Sequence, residues 1–571
     1  MERSDTQGLV RWLRPGVWFW LAVAAFVIGG YILYPALAVV RQSVEGQAGG
    51  WTWAHYARFF SSEPSANLVA TWNSIWISLA SVGGAALLGV PLALLMTTFE
   101  FPGRRLCGAL VMMPLVLPPL IGVLSFVFLM GESGLVPRGL HLAFGLDPAV
   151  WSLRGAWGIV AVHAYSFYVF FYAFVGAALE NRDPSLLEAA ASLGAGRWMR
   201  FWRVTVPLLL PALVGASILV FMTSMASFSA PLLFGGELRV LSVHLYSTKL
   251  SGDLSLAAAQ TVVLASVSLV FLLLLRTWSR KHRSVMPGKG ARSPRRALPS
   301  GALRRLVPPV AVVLSVLALL PHLTLALLSF VRPGTWTFRL GAWLPTEYTF
   351  ENYRYVVDLV APLWHSIEMA LLATLANLVL GVAIGWLLTG NRLRFGRALD
   401  ALVMLPWALP GTVVAVALIS AFSRPNAFSF GQVLVGSFWL LPLAYFVRNL
   451  PLVARASHAA FEQLDPSLDE AARSLGAGWW LRFRRVTFPL VAPGVLGGSV
   501  LAFVTALGEF VASVLLWVPS NQPISMAIFG EYREYHLEAA AAYGVVLVLV
   551  IGLVLVASRY ALGVQSRMGI G

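Results

Sequence analysis

Apolar residues in this chain come in long unbroken runs. They follow neither the 3.6-residue stripe of a soluble helix nor the alternation of a half-buried strand. Twelve runs approach or exceed the roughly 20 residues that cross a hydrocarbon layer. They cover 17–40, 71–96, 107–130, 156–179, 207–230, 257–276, 306–330, 363–389, 400–421, 433–456, 489–517 and 538–558. The first follows Arg3, Arg11 and Arg14. It is too long for a signal-peptide core and has no small-residue cleavage site at its end, so it is expected to stay as an anchor. The expected fold class is an all-α polytopic membrane protein.

Composition removes the rivals to that reading. The 571 residues are 58% hydrophobic and 12% charged, which cannot cover a soluble surface, and the same figures exclude disorder and collagen. Cys107 stands alone, so no intrachain disulfide or cysteine-rich metal centre forms. The net charge of +16 does not point to nucleic acid, because the basic residues gather in alternate loops. With the N-terminus inside, 30 of the 41 Lys and Arg face inward, Arg448 among them at the inner end of its span. The positive-inside rule then places both termini in the cytoplasm.

The runs form two groups of six. Residues 1–276 make a first transmembrane domain and 306–571 a second, joined by a basic, Pro- and Gly-rich cytoplasmic linker at 277–305. The groups repeat each other. Leu88-Gly89-Val90 and the Pro114/Pro118 pair recur 292 residues later as Leu380-Gly381-Val382 and Pro406/Pro410. Asp183-Pro184-Ser185 through Gly196 recurs 282 residues later as Asp465-Pro466-Ser467 through Gly478. Six spans is an even number, so both halves have one orientation and a pseudo-two-fold axis follows the membrane normal. Prolines one turn apart remove helix hydrogen bonds and predict kinks at both pairs.

The repeated cytoplasmic segments carry the most information. Asp183 or Ser185 can cap a short helix with Pro184 at its start. Leu186, Leu187, Ala189, Ala190 and Leu193 give that helix an apolar face. Gly194 sits where a helix end needs a left-handed residue. A basic helix follows, with Arg197, Arg200 and Arg203 on one side, and then Pro207 and Pro211 open the next span. The second copy has Arg482, Arg484, Arg485, Pro489 and Pro493.

Glu188-Ala189-Ala190 with Gly194, and Glu470-Ala471-Ala472 with Gly476, resemble the EAA loops of ABC-importer permeases. Val204, Val206, Val486 and Phe488 stand where that family has Ile and Leu. The resemblance implies two tandem six-helix type I importer domains in a bacterial inner membrane. It implies that these eight EAA residues couple the chain to two copies of an ABC ATPase, which bind ATP and Mg. It also implies an extracytoplasmic substrate-binding protein. The chain has no G-x-x-x-x-G-K-[ST] string, so it is expected to hold no cofactor and no ATPase site of its own. Membrane lipid is its other expected neighbour, and nucleic acid is not expected.

Ionisable residues within spans are functional candidates by default. Glu509 leads, in the outer half of its run, and the 282-residue offset matches it to Ser227. Such a pair suits a cation or a polar solute on a translocation pathway, or else a gate latch. Glu368 can reach water and Arg448 can snorkel inward. His163, His322 and His365 occupy different spans without metal-site spacing, so no metal site is expected. Ser227-Phe-Ser-Ala-Pro-Leu-Leu-Phe-Gly and the string after Leu507 look most like iron(III) permeases. Thiamine, polyamine, phosphonate and oxyanion importers are the alternatives. A secondary transporter leaves the paired hairpins unexplained, and a membrane enzyme lacks clustered catalytic groups.

Overall fold

The computed structural model describes residues 15–46, 49–61, 65–183, 185–281, 296–297, 302–336, 342–389 and 395–568. Among them, ten helices are long and apolar enough to cross a membrane. A bent pair, Gly396–Ala408 and Gly411–Phe422, adds an eleventh span. Leu440–Glu462 has 23 residues, enough length for a twelfth, but carries Arg448 and Arg455. Most of the 277–305 linker lies outside the described residues. Its edges are helical, since Leu254–Lys281 and Ala302–Ser329 run into it, and Arg296–Ala297 pairs in parallel with Phe99–Glu100.

The repeated Leu-Gly-Val strings are packing devices. Gly89 lies in helix Ala66–Thr98, where an added Cβ would sit 2.7 Å from Phe171 Cβ on Gly155–Glu180. Gly381, in Ala361–Leu388, faces Val453 of Leu440–Glu462 in the same way, at 2.9 Å from its Cβ. Only glycine permits so close an approach of two backbones.

The halves are interlocked through their first helices. Tyr34–Ser43 packs on its own half's Leu254–Lys281 and on Gly411–Phe422 of the second half. Ala302–Ser329 packs on Leu537–Met568 and on Pro119–Met130 of the first half. Tyr31 Oη, on the first helix, donates to the Phe428 carbonyl at 3.0 Å. Each first helix therefore bridges the two halves.

Several predicted spans are broken. The 107–130 run divides into Arg104–Val111, a 3-10 turn and Pro119–Met130. At the matching Pro406/Pro410 pair the two helices meet at 105°. The proline pairs end helices, where kinks were expected. Proline also explains three π-turns, Gly29–Leu33, Phe201–Thr205 and Phe483–Thr487, each followed two residues later by Pro35, Pro207 or Pro489. A proline lacks the N–H for its helix bond and its ring crowds the preceding turn, which one extra residue relieves.

Candidate functional site

The two short hairpins lie at one end of the molecule, here called the hairpin end. Asp183 Oδ1 accepts from Ser185 N and Asp465 Oδ1 from Ser467 N, both at 2.9 Å, so aspartate is the cap in each copy. These backbone N–H groups hold both carboxyls below their ordinary range. Gly194 and Gly476 have φ of +78° and +79°. Past each glycine the chain turns back: Ala195 N donates to Ala190 O and Ala477 N to Ala472 O, closing the helix end. The second alanine of each EAA string is thus the acceptor that fixes the turn. Gly196 and Gly478 start the basic helices. Arg197 and Arg200 lie in helix Arg197–Arg200, and Arg203 falls inside the π-turn Phe201–Thr205. The second copy has an ionic brace, Arg482 Nε to Asp469 Oδ1 at 2.8 Å.

No residue of helices Ser185–Ser192 or Pro466–Ser474 is buried. Leu193 and Leu475 are each 88% exposed, and Trp198, Trp479 and Trp480 project beside them. Glu188, Ala189, Glu470 and Ala471 are exposed with them. Among the described residues, the hairpins present an apolar surface that nothing buries.

At the other end, helices Val206–Met225 and Phe488–Leu507 stop at matching points. Phe228 and Phe510 follow, with near-identical backbone angles. Their buried rings meet at 5.9 Å between centroids. Pro118 packs beside them against Gly508. The breaks are held alike: Ser242 Oγ donates to Ser227 O, and Ser525 Oγ to Glu509 O. Ser74 Oγ receives Leu241 N, and Ser366 Oγ receives Ile524 N. Equivalent serines in the two halves thus satisfy carbonyls freed where one helix stops and amides freed where a later helix, Leu241–Leu250 or Ile524–Arg533, begins.

Ser227 and Glu509 immediately precede this aromatic pair. Their side chains sit in different polar sets. Ser227 Oγ contacts His163 Nε2 at 2.8 Å, while His163 Nδ1 lies 3.0 Å from Ser81 Oγ and from Ser224 Oγ. Glu509 Oε1 accepts from Ala512 N at 3.0 Å and lies 3.6 Å from Arg448 Nη1. Ser513 Oγ donates to Glu509 O and bonds Tyr445 Oη. The 282-residue offset maps His163 onto Tyr445 and Ser166 onto Arg448. That relation was available in the sequence, and it links His163 and Arg448 to this site.

Arg448 is not at the hairpin end. About 12 Å of helix separate it from Leu440 and about 21 Å from Glu462, which adjoins the second hairpin. The inward placement is therefore corrected: Arg448 pairs with Glu509 near the far end. Glu509 also has a cationic neighbour in Arg448 beside the Ala512 amide that it accepts from. Glu368 is exposed, about two turns into helix Ala361–Leu388. His322 contacts Tyr165 Oη and Met113 O, and His365 contacts Gln522 O. Among the described residues, Glu531, Glu534 and His536 also approach one another at the far end, where spacing gave no signal. The latter two are exposed and His536 Nδ1 already bonds Glu531 at 3.0 Å.

The family described as "Binding-protein-dependent transport system inner membrane component" matches residues 87–284 and 377–565, once in each half. The chain belongs to that permease family. A probable ABC transporter permease, y4fN of Sinorhizobium fredii, is 29% identical over 559 residues, covering 96% of each chain. The ferric transport system permease FbpB of Actinobacillus pleuropneumoniae is 29% identical over 449 residues, 77% of this chain and 63% of that one. The sulfate permease CysT of Salmonella typhimurium is 35% identical over 212 residues, 35% of this chain and 74% of that one. The permease is thus a fused two-domain ABC importer component and a multi-pass membrane protein. Its relatives are permease components, whose ATPase is a separate subunit, and membership implies an ATPase and a substrate-binding protein as partners.

Proposed function

We propose that this permease forms the alternating-access path of an ATP-driven importer whose cargo is iron(III). Two ATPase copies seat on the hairpins, one on each, and bind the ATP and Mg that drive the cycle. A substrate-binding protein docks at the far end. Both termini and the hairpins are cytoplasmic, in a bacterial inner membrane. The observation that carries this reading is the pair of matching hairpins whose Leu193, Leu475, Trp198, Trp479 and Trp480 stay exposed among the described residues, the tryptophans touching only rings of their own hairpin. An apolar patch of that kind on a rigid turn is an interface awaiting its other side.

In the cycle, ATP draws the two ATPases together and the hairpins move with them. Each hairpin continues through its π-turn into the helix that ends just before Phe228 or Phe510. Motion at one end therefore reaches the aromatic closure at the other along a single rigid element. The chain supplies a path and two interlocked halves, and Ser227 and Glu509 line that path next to the closure. The name of the ferric relative supports iron(III) as cargo.

The test is cross-linking in membranes. Cysteine at Leu193 or Leu475, in a Cys107→Ser background, should cross-link to the ATPase and should resist impermeant thiol reagents in intact cells. Cysteine at Ser520, exposed next to buried Asn521, should react with those reagents. The reverse labelling, or hairpin cysteines that cross-link to no ATPase, refutes the assignment.

A further inference from the structure

Arg448 is an arginine in a membrane span whose hydrogen-bonding capacity is unspent. Among the described residues it makes no hydrogen bond, and its one charged neighbour is Glu509 at 3.6 Å, beyond hydrogen-bond reach. Nη1 is shielded from solvent and unpartnered. Gly411, at the bend of the broken span, leaves room for it: a Cβ there would collide with Nη1. The same Cβ would lie 3.1 Å from Val511, next in sequence to Phe510. The side chain is 24% exposed, against 9% for Glu509. Its neighbours Glu509 and Val511 flank the ring that meets Phe228 across the halves. The guanidinium therefore lies beside the helix break that precedes the Phe228–Phe510 contact. The first half has Ser166 at the matching place.

A guanidinium in a low-dielectric span whose N–H groups lack acceptors is costly even beside a counter-charge, and such groups mark ion or substrate paths. Its planar fork of N–H donors fits oxygen anions. We infer that Arg448 is the donor that receives an oxygen anion of the cargo as it passes the Phe228–Phe510 closure, with Glu509 holding the side chain in place. This deepens the pathway reading and rests on it. The anion is either a free oxyanion or the anionic ligand that accompanies iron(III).

The experiment uses cells expressing the whole transporter. Uptake of radiolabelled iron(III) citrate, sulfate and phosphate is measured for the parent, Arg448→Lys, Arg448→Gln, Glu509→Gln and the Arg448→Gln/Glu509→Gln double variant. Membrane abundance and ATP hydrolysis by the purified complex are measured alongside. The expected result is that Arg448→Gln lowers uptake about tenfold or more at matched abundance, as loss of a charge-assisted contact does. Arg448→Lys retains part of the uptake, and the double variant stays as low as Arg448→Gln. Recovery of the double variant to within about twofold of the parent makes Arg448 a mere counter-ion and overturns the inference. Poor insertion of Arg448→Gln leaves Arg448→Lys to decide: full uptake by a point charge without the fork also overturns it. A parent that carries sulfate or phosphate but no iron defeats the iron reading while the inference stands. Iron uptake untouched by Arg448→Gln defeats the inference while the iron reading stands. A parent that carries only cations such as thiamine or spermidine overturns the anion class.

Discussion

The rings of Phe228 and Phe510, 282 residues apart in sequence, meet 5.9 Å apart with both side chains buried. Each follows the end of a helix that starts at a hairpin π-turn. The contact therefore joins the two repeats at the level where Ser227 and Glu509 sit. It closes the space between the halves with apolar surface, flanked by Phe529 at 5.4 Å from Phe510 and Tyr246 at 5.4 Å from Phe228.

If that contact must part during each cycle, tying it shut stops transport. Cysteines replacing Phe228 and Phe510 in a Cys107→Ser background, joined by a short bifunctional thiol reagent, should abolish uptake. Reductive cleavage of the linker should restore it. Undiminished uptake by the cross-linked protein means that cargo does not pass between these residues.

The hairpin turns make a second test. Gly194 and Gly476 hold φ values that a β-branched side chain resists at about 1–3 kcal/mol each. The Gly194→Val/Gly476→Val variant should insert normally, because the strain lies outside the spans. Its substrate-stimulated ATP hydrolysis in the assembled complex should fall several-fold. Normal coupled turnover removes the hairpins from the transmission path.

Helix contacts give a test of packing. Gly381→Ala brings a methyl to 2.8 Å from Val453 Cγ1 and 3.0 Å from Ala454 N, so it should cost about 1–3 kcal/mol and lower the melting temperature in detergent. Gly83, in the same position class on helix Ala66–Thr98, has open space where the methyl would go. Gly83→Ala should leave stability unchanged or raise it by about 0.4–1 kcal/mol. Equal effects at the two sites contradict the packing described.

The capping aspartates set a pH dependence. Their folded carboxyls titrate below the unfolded ones, because the ionised form accepts a backbone N–H. The stabilisation is thus present above the ordinary carboxylate range and is lost as pH falls through the lowered folded value. Amide protection factors in 185–192 and 466–474, taken against the intrinsic exchange rate at each pH, should fall on acidification. The Asp183→Asn/Asp465→Asn variant keeps the cap without the charge and should lose that pH dependence.

Much of this was legible in the sequence. The two offsets located the repeats, the hairpins and the Ser227–Glu509 equivalence. The even span count gave the common orientation of the halves. Other features escaped for physical reasons. Apolar content does not report where a helix stops, so the 433–456 run absorbed Phe438 and Trp439, which precede the helix starting at Leu440. That slip moved Arg448 toward the wrong surface and hid its pairing with Glu509. Hydropathy also passes over a helix end inside a run, and so the breaks after Met225 and Leu507 were read as continuous span. The bridging by the first helices is a tertiary relation that no local pattern encodes.

The most direct measurement is cargo accumulation in proteoliposomes containing this chain and its ATPase, supplied with the binding protein. The account predicts that radiolabelled iron(III) accumulates when ATP is present on the hairpin side, and that ADP or omission of the binding protein abolishes it. Accumulation by the chain alone, driven by a proton gradient without ATPase or ATP, would contradict it.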